Sequence, residues 1–203
     1  MKKSLATLSL IIWAVTFVRA ADEKGFQPLF NGKDTAGWHL RKADGHNSWK
    51  VEGGVLKNAV NKGEHGTDLV TDKKFKNFTV KYEYMVPDNS NSGFYLRGRH
   101  EIQILGDFAK GTTGLGGNGA IYNFKAPDQF VSKPAGEWQT VEATMIGAKI
   151  TVVQNGVKIH DNVECRKATG SEIDNKIDEP GPIFLQGDHG TVWFRNIQIK
   201  ELE

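Results

Sequence analysis

The segment NSGFYLRGRHEIQIL, residues 91–105, concentrates side chains that can grip and deprotonate a polar substrate. Tyr95, Arg97, Glu101 and Gln103 alternate with apolar residues, so in extended strands they share one face. A hairpin with a three-residue turn would place Arg97 opposite Glu101, and Tyr95 opposite Gln103. An aromatic ring, a guanidinium, a carboxylate and an amide on one face can stack on a sugar ring and bind its hydroxyls.

A solvated outer face is the alternative interpretation of this hairpin, since antiparallel sheets often have one wet side. An Arg97–Glu101 pair on such a face would contribute only about 0.2–1 kcal/mol. However, Asn91 and Ser92 bring an amide and a hydroxyl to the start of the hairpin, and the Gly-rich stretch 105–138 follows it. Loops of that length in compact proteins are usually functional or mobile. These features favour a binding face with Asn91 and Ser92 at its rim.

A second polar cluster lies in the segment LQGDHGTVWFRN, which contains Gln186, Asp188 and His189. His189, in a turn between two predicted strands, is a candidate general acid or base. A histidine that only caps the turn is the alternative. Asp188 and His189 could hold a divalent metal with one more acid, but no ligand spacing identifies a metal site. No cofactor is expected.

The acids near the hairpin bear on the class of reaction. A retaining glycosidase needs two carboxylates about 5 Å apart. The neighbour of Glu101 on its own face is Gln103, and Asp107 would lie about 20 Å away along an extended strand. Only Asp188 could serve as the second acid. A lone carboxylate suits proton abstraction or binding better than two-carboxylate hydrolysis.

Short runs with period-2 alternation dominate the rest of the chain, so we expect an all-β sandwich or closed sheet. The segment WKVEGGVLKN reads as two strands around a Gly-Gly turn, and Asn155-Gly156 between apolar runs is a strong hairpin signal. Residues 78–86 alternate between an apolar and a polar face. The polar stretch 165–182 could form a short helix or a lid. No linker or repeat is evident, which predicts one domain over residues 21–203.

Residues 1–20 have the pattern of a secretory signal peptide cleaved after Ala20, with Lys2 and Lys3 before an apolar run. An uncleaved anchor is the alternative. The whole chain carries 26 Lys and Arg against 24 Asp and Glu, and removal of this segment makes the small net charge negative. Nucleic acid is therefore not an expected partner, no membrane span is expected after cleavage, and the location should be periplasmic or secreted.

Cys165 is the one cysteine in the chain, so no internal disulfide can form. No Cys-His signature surrounds it, and we expect a buried or half-buried thiol rather than a nucleophile.

Six segments, in this order, resemble the 3-keto-disaccharide hydrolase family, also described as 3-keto-glucoside lyases: GFQPLFNGKDTAGWHL, WKVEGGVL, NSGFYLRG, HEIQIL, GEWQTVEATMIGAKITVVQNGVKI and GPIFLQGDHGTVWFRNIQIKEL. The resemblance implies a concanavalin A-like jelly-roll β-sandwich of two antiparallel sheets, exported by bacteria and acting on 3-keto-glycosides. The polar segments of the family fall here on Asn91, Ser92, Tyr95, Arg97, Glu101, Gln103, Gln186, Asp188 and His189.

A ketone at C3 of a sugar acidifies the C2 proton and places the C1 oxygen β to the resulting carbanion. One base and one acid then suffice to break the glycosidic bond. The hypothesis gives Glu101 or His189 the proton transfers and gives Arg97 the stabilisation of the enolate. The hydroxyl contacts are assigned to Tyr95, Gln103, Asn91 and Gln186. A non-catalytic carbohydrate-binding domain and a conventional glycosidase remain alternatives.

Overall fold

The computed structural model describes residues 24–60 and 64–203, so the predicted signal segment at 1–20 lies outside the described residues. Within them the chain forms thirteen strands and one short 3₁₀ helix, Phe108–Lys110. In chain order the strands are β1 (Gln27–Pro28), β2 (Trp38–Leu40), β3 (Trp49–Glu52), β4 (Val55–Asn58), β5 (Leu69–Phe75), β6 (Phe78–Met85), β7 (Asn91–Leu96), β8 (His100–Leu105), β9 (Gln139–Ile146), β10 (Lys149–Gln154), β11 (Val157–Glu164), β12 (Gly181–Leu185) and β13 (Val192–Glu201).

These strands form two antiparallel sheets that pack face to face. The larger sheet has the order β11-β10-β9-β6-β13-β4-β3, with β1 paired to β13. The smaller sheet has the order β2-β5-β12-β7-β8. Strands distant in sequence become neighbours, as where β12 lies between β5 and β7. This is the all-β jelly-roll sandwich that the sequence predicts. No helix in the described ranges has the length and apolar character needed to cross a bilayer.

The local signals explain several of these strands. Burial alternates residue by residue along β6, which has one core face and one outer face, as period-2 patterning requires. The turn between β10 and β11 has positive φ angles at Asn155 (51°) and Gly156 (81°), the conformation that an Asn-Gly hairpin turn needs. The Gly-Gly turn joins β3 to β4 as predicted.

The core lies between the two sheets. The ring of Tyr82 on β6 stacks on Phe94 of β7, with centroids 3.9 Å apart. Burying side chains of this size contributes about 1.5–3 kcal/mol each, which compensates for the missing disulfides. Cys165 is buried in the same core, and burial raises the pKa of its thiol. The expectation of a buried thiol is confirmed.

Two loops wall the outer face of the smaller sheet. The first, residues 106–138, is called the long loop and runs along the free edge of β8, where Gly119 N donates to Gln103 O at 2.8 Å. The second loop, residues 165–180, contains no helix in the structure, so the short-helix expectation is wrong. Its backbone follows the β7–β8 turn, with Thr169 N donating to Arg99 O at 3.0 Å. These bonds satisfy a sheet edge that would otherwise be exposed.

Candidate functional site

The outer face of the smaller sheet, here called the site face, carries two rows of side chains. In the first row the strand register aligns Val70, Phe184, Tyr95 and Glu101 across β5, β12, β7 and β8. The rings of Tyr95 and Phe184 stack with centroids 3.7 Å apart, and with Val70 they form an apolar cluster separate from the main core. This apolar cluster is buried and ends at Glu101, the strand partner of Tyr95.

The second row runs beside the first and is formed by amides and a carboxylate. Gly93 lies opposite Gln103 on the β7–β8 hairpin, and Gln186 N donates to Gly93 O at 2.9 Å. Asp68 lies beyond Gln186, and its Oδ1 accepts from Gly187 N at 3.0 Å. The two rows therefore bring Glu101, Gln103, Gln186 and Asp68 to one surface.

The register of the β7–β8 hairpin differs from the predicted one. The turn comprises residues 97–99, so Tyr95 pairs with Glu101 and Gly93 pairs with Gln103. The difference amounts to two residues, and because side chains alternate with period 2, Tyr95, Glu101 and Gln103 still share a face. The predicted face is confirmed for Tyr95, Glu101 and Gln103 but not for Arg97, and the predicted partners across the hairpin are wrong.

Arg97 is the residue most affected by this difference. It lies in the turn with a φ of 51°, and its guanidinium is buried. Its nitrogens donate to the backbone oxygens of Lys76 (2.6 Å), Gly147 (2.7 Å) and Ile177 (3.1 Å). The expectation that Arg97 lies opposite Glu101 is wrong, because its donors support the turn instead.

Ser92 also lies away from the site face. It pairs with Ile104, a core residue, and is fully buried between the sheets. Its hydroxyl donates to Gln186 O at 2.8 Å. The expectation of a rim hydroxyl at Ser92 is therefore wrong, since strand alternation points this side chain into the sandwich, where it holds the end of β12 against β7.

Glu101 is a buried carboxylate on the site face whose pKa lies well above its ordinary value. It is 3% exposed, and the Tyr95 hydroxyl donates to its Oε2 at 2.8 Å. Burial is the main cause that raises the pKa of Glu101 to about 7, with smaller raising effects from Asp188 and Asp68. The Tyr95 hydrogen bond and His189 oppose that rise. A carboxyl group that titrates near neutrality can both take and return a proton.

His189 and Asp188 form a pair on the β12–β13 loop. His189 Nδ1 and Asp188 Oδ1 are 2.5 Å apart, and this bond raises the pKa of His189 and lowers that of Asp188. Asn58 on β4 holds this loop in place, because its Nδ2 donates to Gly187 O (3.0 Å) and Gly190 O (2.8 Å). The favoured state is an imidazolium–carboxylate pair. The charge of Glu101 further raises the pKa of His189, so the two groups are electrostatically coupled.

Three amide oxygens of the site are buried without a hydrogen-bond partner among the described residues: those of Asn91, Gln103 and Gln186. An unpaired buried acceptor costs about 1–3 kcal/mol, and such atoms require an explanation in a native structure. A ligand rich in hydroxyl donors would supply partners. The structure thus brings together seven of the nine predicted site residues, while Arg97 and Ser92 serve the scaffold.

A cavity of about 430 Å³ opens beside Asp188 and Asp68. Arg41 forms part of its wall and is held by Asp68 Oδ2 (3.2 Å), Ser171 O (2.8 Å) and Glu172 O (2.8 Å). The sequence did not predict Arg41 and Asp68 as site residues, because only the position of β5 beside β12 brings them to the site. Burial raises the pKa of Asp68 as well.

Another cavity, of about 440 Å³, lies on the outer face of the larger sheet. Its charged side chains are paired with one another, since Arg195 Nη2 lies 2.7 Å from Glu83 and Lys81 Nζ lies 3.1 Å from Glu142. Neither acid is buried as Glu101 is, since the side chains of Glu83 and Glu142 are 22% and 44% exposed. Within residues 24–60 and 64–203, no group of three or more His, Cys, Asp or Glu side chains could hold a metal ion.

The chain is similar to known proteins over most of its length. The sequence is 29% identical to the 3-keto-disaccharide hydrolase of Bacteroides thetaiotaomicron, over 90% of this chain and 80% of that protein. Two crystal structures from Parabacteroides distasonis, both provisionally described as glycosyl hydrolases, share the fold. One has 29% identity and a TM-score of 0.72 over 88% of this chain and 84% of its own. The other has 27% identity and a TM-score of 0.70 over 88% and 94%.

The family assignment rests on a match that spans most of the chain. The model of the 3-keto-alpha-glucoside-1,2-lyase-like domain matches residues 25–200, which include every strand of both sheets except the final residue of β13. The site face and both of its walls lie inside that range. The chain belongs to the 3-keto-alpha-glucoside-1,2-lyase-like family of carbohydrate-active enzymes.

Proposed function

We propose that this protein cleaves the glycosidic bond of 3-keto-glycosides, including 3-keto-disaccharides, by removing the C2 proton and eliminating the C1 oxygen. The observation that carries the proposal is Glu101, a single carboxylate buried on a polar face with its pKa raised to about 7. The relative from Bacteroides thetaiotaomicron bears the name 3-keto-disaccharide hydrolase, which names the same class of substrate.

In the first step the Glu101 carboxylate takes the proton from C2. The C–H electrons form a C2=C3 bond, and the carbonyl electrons move to the C3 oxygen to give an enolate. Desolvation makes Glu101 a stronger base than an exposed carboxylate, since its proton affinity rises with its pKa.

In the second step the C3 carbonyl reforms, a C1=C2 bond forms and the C1–O bond breaks. The leaving oxygen takes a proton, and His189 is the proposed donor because the Asp188 pair keeps its imidazole protonated. The products are an unsaturated keto-sugar and an alcohol. Addition of water across the double bond would make the net reaction a hydrolysis.

Substrate contacts follow from the unpaired acceptors. The amides of Asn91, Gln103 and Gln186 would take hydroxyl hydrogens of the keto-sugar, and the cavity beside Asp188 would receive the leaving group. Tyr95 contributes indirectly, because its hydroxyl is used on Glu101. Arg97 has no part in this scheme.

A two-carboxylate glycosidase fits the site less well. The acids that perturb Glu101 are Asp188 and Asp68, and each has another partner. Asp188 is bonded to His189, while Asp68 accepts from Arg41 and from Gly187 N. Neither is a free nucleophile in the geometry that a retaining mechanism requires.

We also propose export, with residues 1–20 as a cleaved signal peptide and residues 21–203 as one domain that acts in the periplasm or outside the cell. The support is the sequence pattern at residues 1–20 and the family match that starts at residue 25. N-terminal sequencing of protein recovered from periplasmic and medium fractions would test it. A cytoplasmic protein that retains Met1 would contradict it.

The reaction is tested by incubating the protein with a 3-keto-glucoside and, separately, with its unoxidised parent in deuterated water, followed by proton NMR. Cleavage of the keto form alone, with an enone signal or with deuterium at C2, is expected. Cleavage of the unoxidised parent would indicate a conventional glycosidase. Binding of glycans without turnover of either compound would indicate a carbohydrate-binding domain.

A further inference from the structure

We propose that Tyr122 is a catalytic residue of this site, whose hydroxyl donates a hydrogen bond to the C3 oxygen of the bound keto-sugar. The inference rests on the proposed function and deepens it. The developing enolate requires a hydrogen-bond donor, and the guanidinium of Arg97 is committed to three backbone oxygens elsewhere. Tyr122, in the long loop, supplies a donor beside the base.

The backbone places Tyr122 next to Glu101. Ile121 of the long loop forms an antiparallel bridge with Ile102 of β8, and both side chains are buried in the core. Tyr122 N donates to Glu101 O at 3.0 Å. Neighbouring residues in extended backbone point to opposite faces. Since Ile121 and Ile102 point into the core, their neighbours Tyr122 and Glu101 both project from the site face.

The ring of Tyr122 lies between the two loops that wall the site. A Cβ built on Gly116 of the long loop would lie 3.6 Å from Tyr122 Cε2, and one on Gly170 of the second loop would lie 3.9 Å from Cε1. The residue is half-buried, and its backbone N is bonded to Glu101 O. The absence of side chains at these two glycines leaves both edges of the ring free of contacts from those positions.

The hydroxyl of Tyr122 has no hydrogen-bond partner among the described residues. Two other tyrosines differ in this respect, since Tyr95 donates to Glu101 and Tyr84 donates to Asn118. The hydroxyl of Tyr82 also lacks a partner, but it is buried in the core, where no ligand reaches it. Among the four tyrosines, Tyr122 combines a backbone position next to Glu101 with a hydroxyl that is free to donate to a ligand. A half-exposed phenol with an unused proton is suited to bind an oxygen that gains charge.

The chemical role follows the charge. When Glu101 removes the C2 proton, negative charge develops on the C3 oxygen, and a donor aimed at that oxygen stabilises the transition state more than the ketone. Tyr122 keeps its proton throughout and only shares it. When the C1–O bond breaks, the carbonyl reforms and the hydrogen bond weakens again.

The test is Tyr122→Phe, which keeps the ring contacts with both glycines. We expect kcat on a 3-keto-glucoside to fall about 10²–10³-fold, the usual effect of removing one oxyanion donor, with a small change in KM. Exchange of the C2 proton in deuterated water should slow in parallel. The matched control is Tyr82→Phe, which removes a buried hydroxyl far from the chemistry and should keep wild-type kcat.

The outcomes separate the two proposals. If the wild-type protein neither cleaves the keto-glucoside nor exchanges its C2 proton, the proposed function is wrong, and so is the role assigned to Tyr122. If the wild type is active and Tyr122→Phe retains its kcat and exchange rate, only the assignment of Tyr122 is overturned. A loss of activity that matches a loss of folded protein in a thermal melt would also overturn it, since that result indicates a structural role.

Discussion

The carboxylate of Glu101 occupies the space that a side chain at position 93 would fill. A Cβ built on Gly93 would lie 2.3 Å from Glu101 Oε1 and 2.9 Å from its Cδ. Gly93 has no positive φ, so backbone conformation does not demand a glycine there. The absent side chain lets the carboxylate lie across the second row of the site face, between Gln103 and Gln186. Gly93 is therefore a positioning residue for the proposed base.

Gly93→Ala should lower kcat on a 3-keto-glucoside about 10²-fold, because displacement of a catalytic group by about 1 Å has effects of that size. The control is Gly114→Ala in the long loop, where a Cβ meets nothing within 4 Å. Steady-state kinetics and a thermal melt of both variants provide the measurement. Wild-type kcat in Gly93→Ala would show that the position of the carboxylate is not critical.

The activity should depend on pH through Glu101 and His189. Glu101 must be ionised to accept a proton, so kcat/KM should rise with pH through about 7, the raised pKa of Glu101. His189 must be protonated to donate, so the rate should fall again above its own raised pKa. A pH profile of kcat/KM measures both limbs. An acidic limb near the ordinary glutamate pKa would contradict the assignment of Glu101.

Glu101→Gln should reduce kcat about 10²–10⁴-fold, the usual contribution of a general base, and should abolish the acidic limb. Glutamine keeps the shape of the side chain and an acceptor for the Tyr95 hydroxyl, so the fold should be preserved. The variant is compared with wild type by kinetics at several pH values and by thermal melts. Undiminished turnover at neutral pH would assign the base to another group.

Tyr95→Phe should move the acidic limb of the pH profile to higher pH. The Tyr95 hydroxyl lowers the pKa of Glu101 by donating to its charged form, and its removal leaves the effect of burial less opposed. The phenylalanine ring retains the stacking on Phe184. Tyr84→Phe, which removes a hydroxyl bonded to Asn118, is the control and should leave the limb in place. A shift toward lower pH in Tyr95→Phe would exclude this coupling.

The sequence predicts the faces of the site better than its contacts. Period-2 alternation puts Tyr95, Glu101 and Gln103 on one face in either register of the β7–β8 hairpin. It cannot decide between a turn at residues 97–99 and one at 98–100, because both contain Gly98 and both keep the faces apart. That choice decides whether Arg97 belongs to the strand or to the turn, so the role of Arg97 was the weakest prediction.

Residues from distant segments could not be assigned to the site from spacing. Asp68 joins it because β5 pairs with β12, and Tyr122 because the long loop follows the edge of β8. In the sequence, Gly93 indicates only a weak strand position. The structure shows that a side chain there would collide with the Glu101 carboxylate. These relationships depend on tertiary packing, which a single sequence does not encode in local pattern.

The final prediction tests whether Arg97 stabilises the fold or takes part in the reaction. Arg97→Ala removes three hydrogen bonds and leaves three carbonyls in need of partners, so the free energy of unfolding should fall by about 3 kcal/mol or more. The kcat per folded molecule should stay near wild type, because the guanidinium bonds to backbone oxygens of the scaffold and not to Glu101. Arg166→Ala, which breaks an exposed pair with Glu164, should cost about 1 kcal/mol or less and serves as control. Urea unfolding and active-fraction kinetics measure both quantities, and a stable Arg97→Ala protein with a large loss of kcat would restore Arg97 to the site.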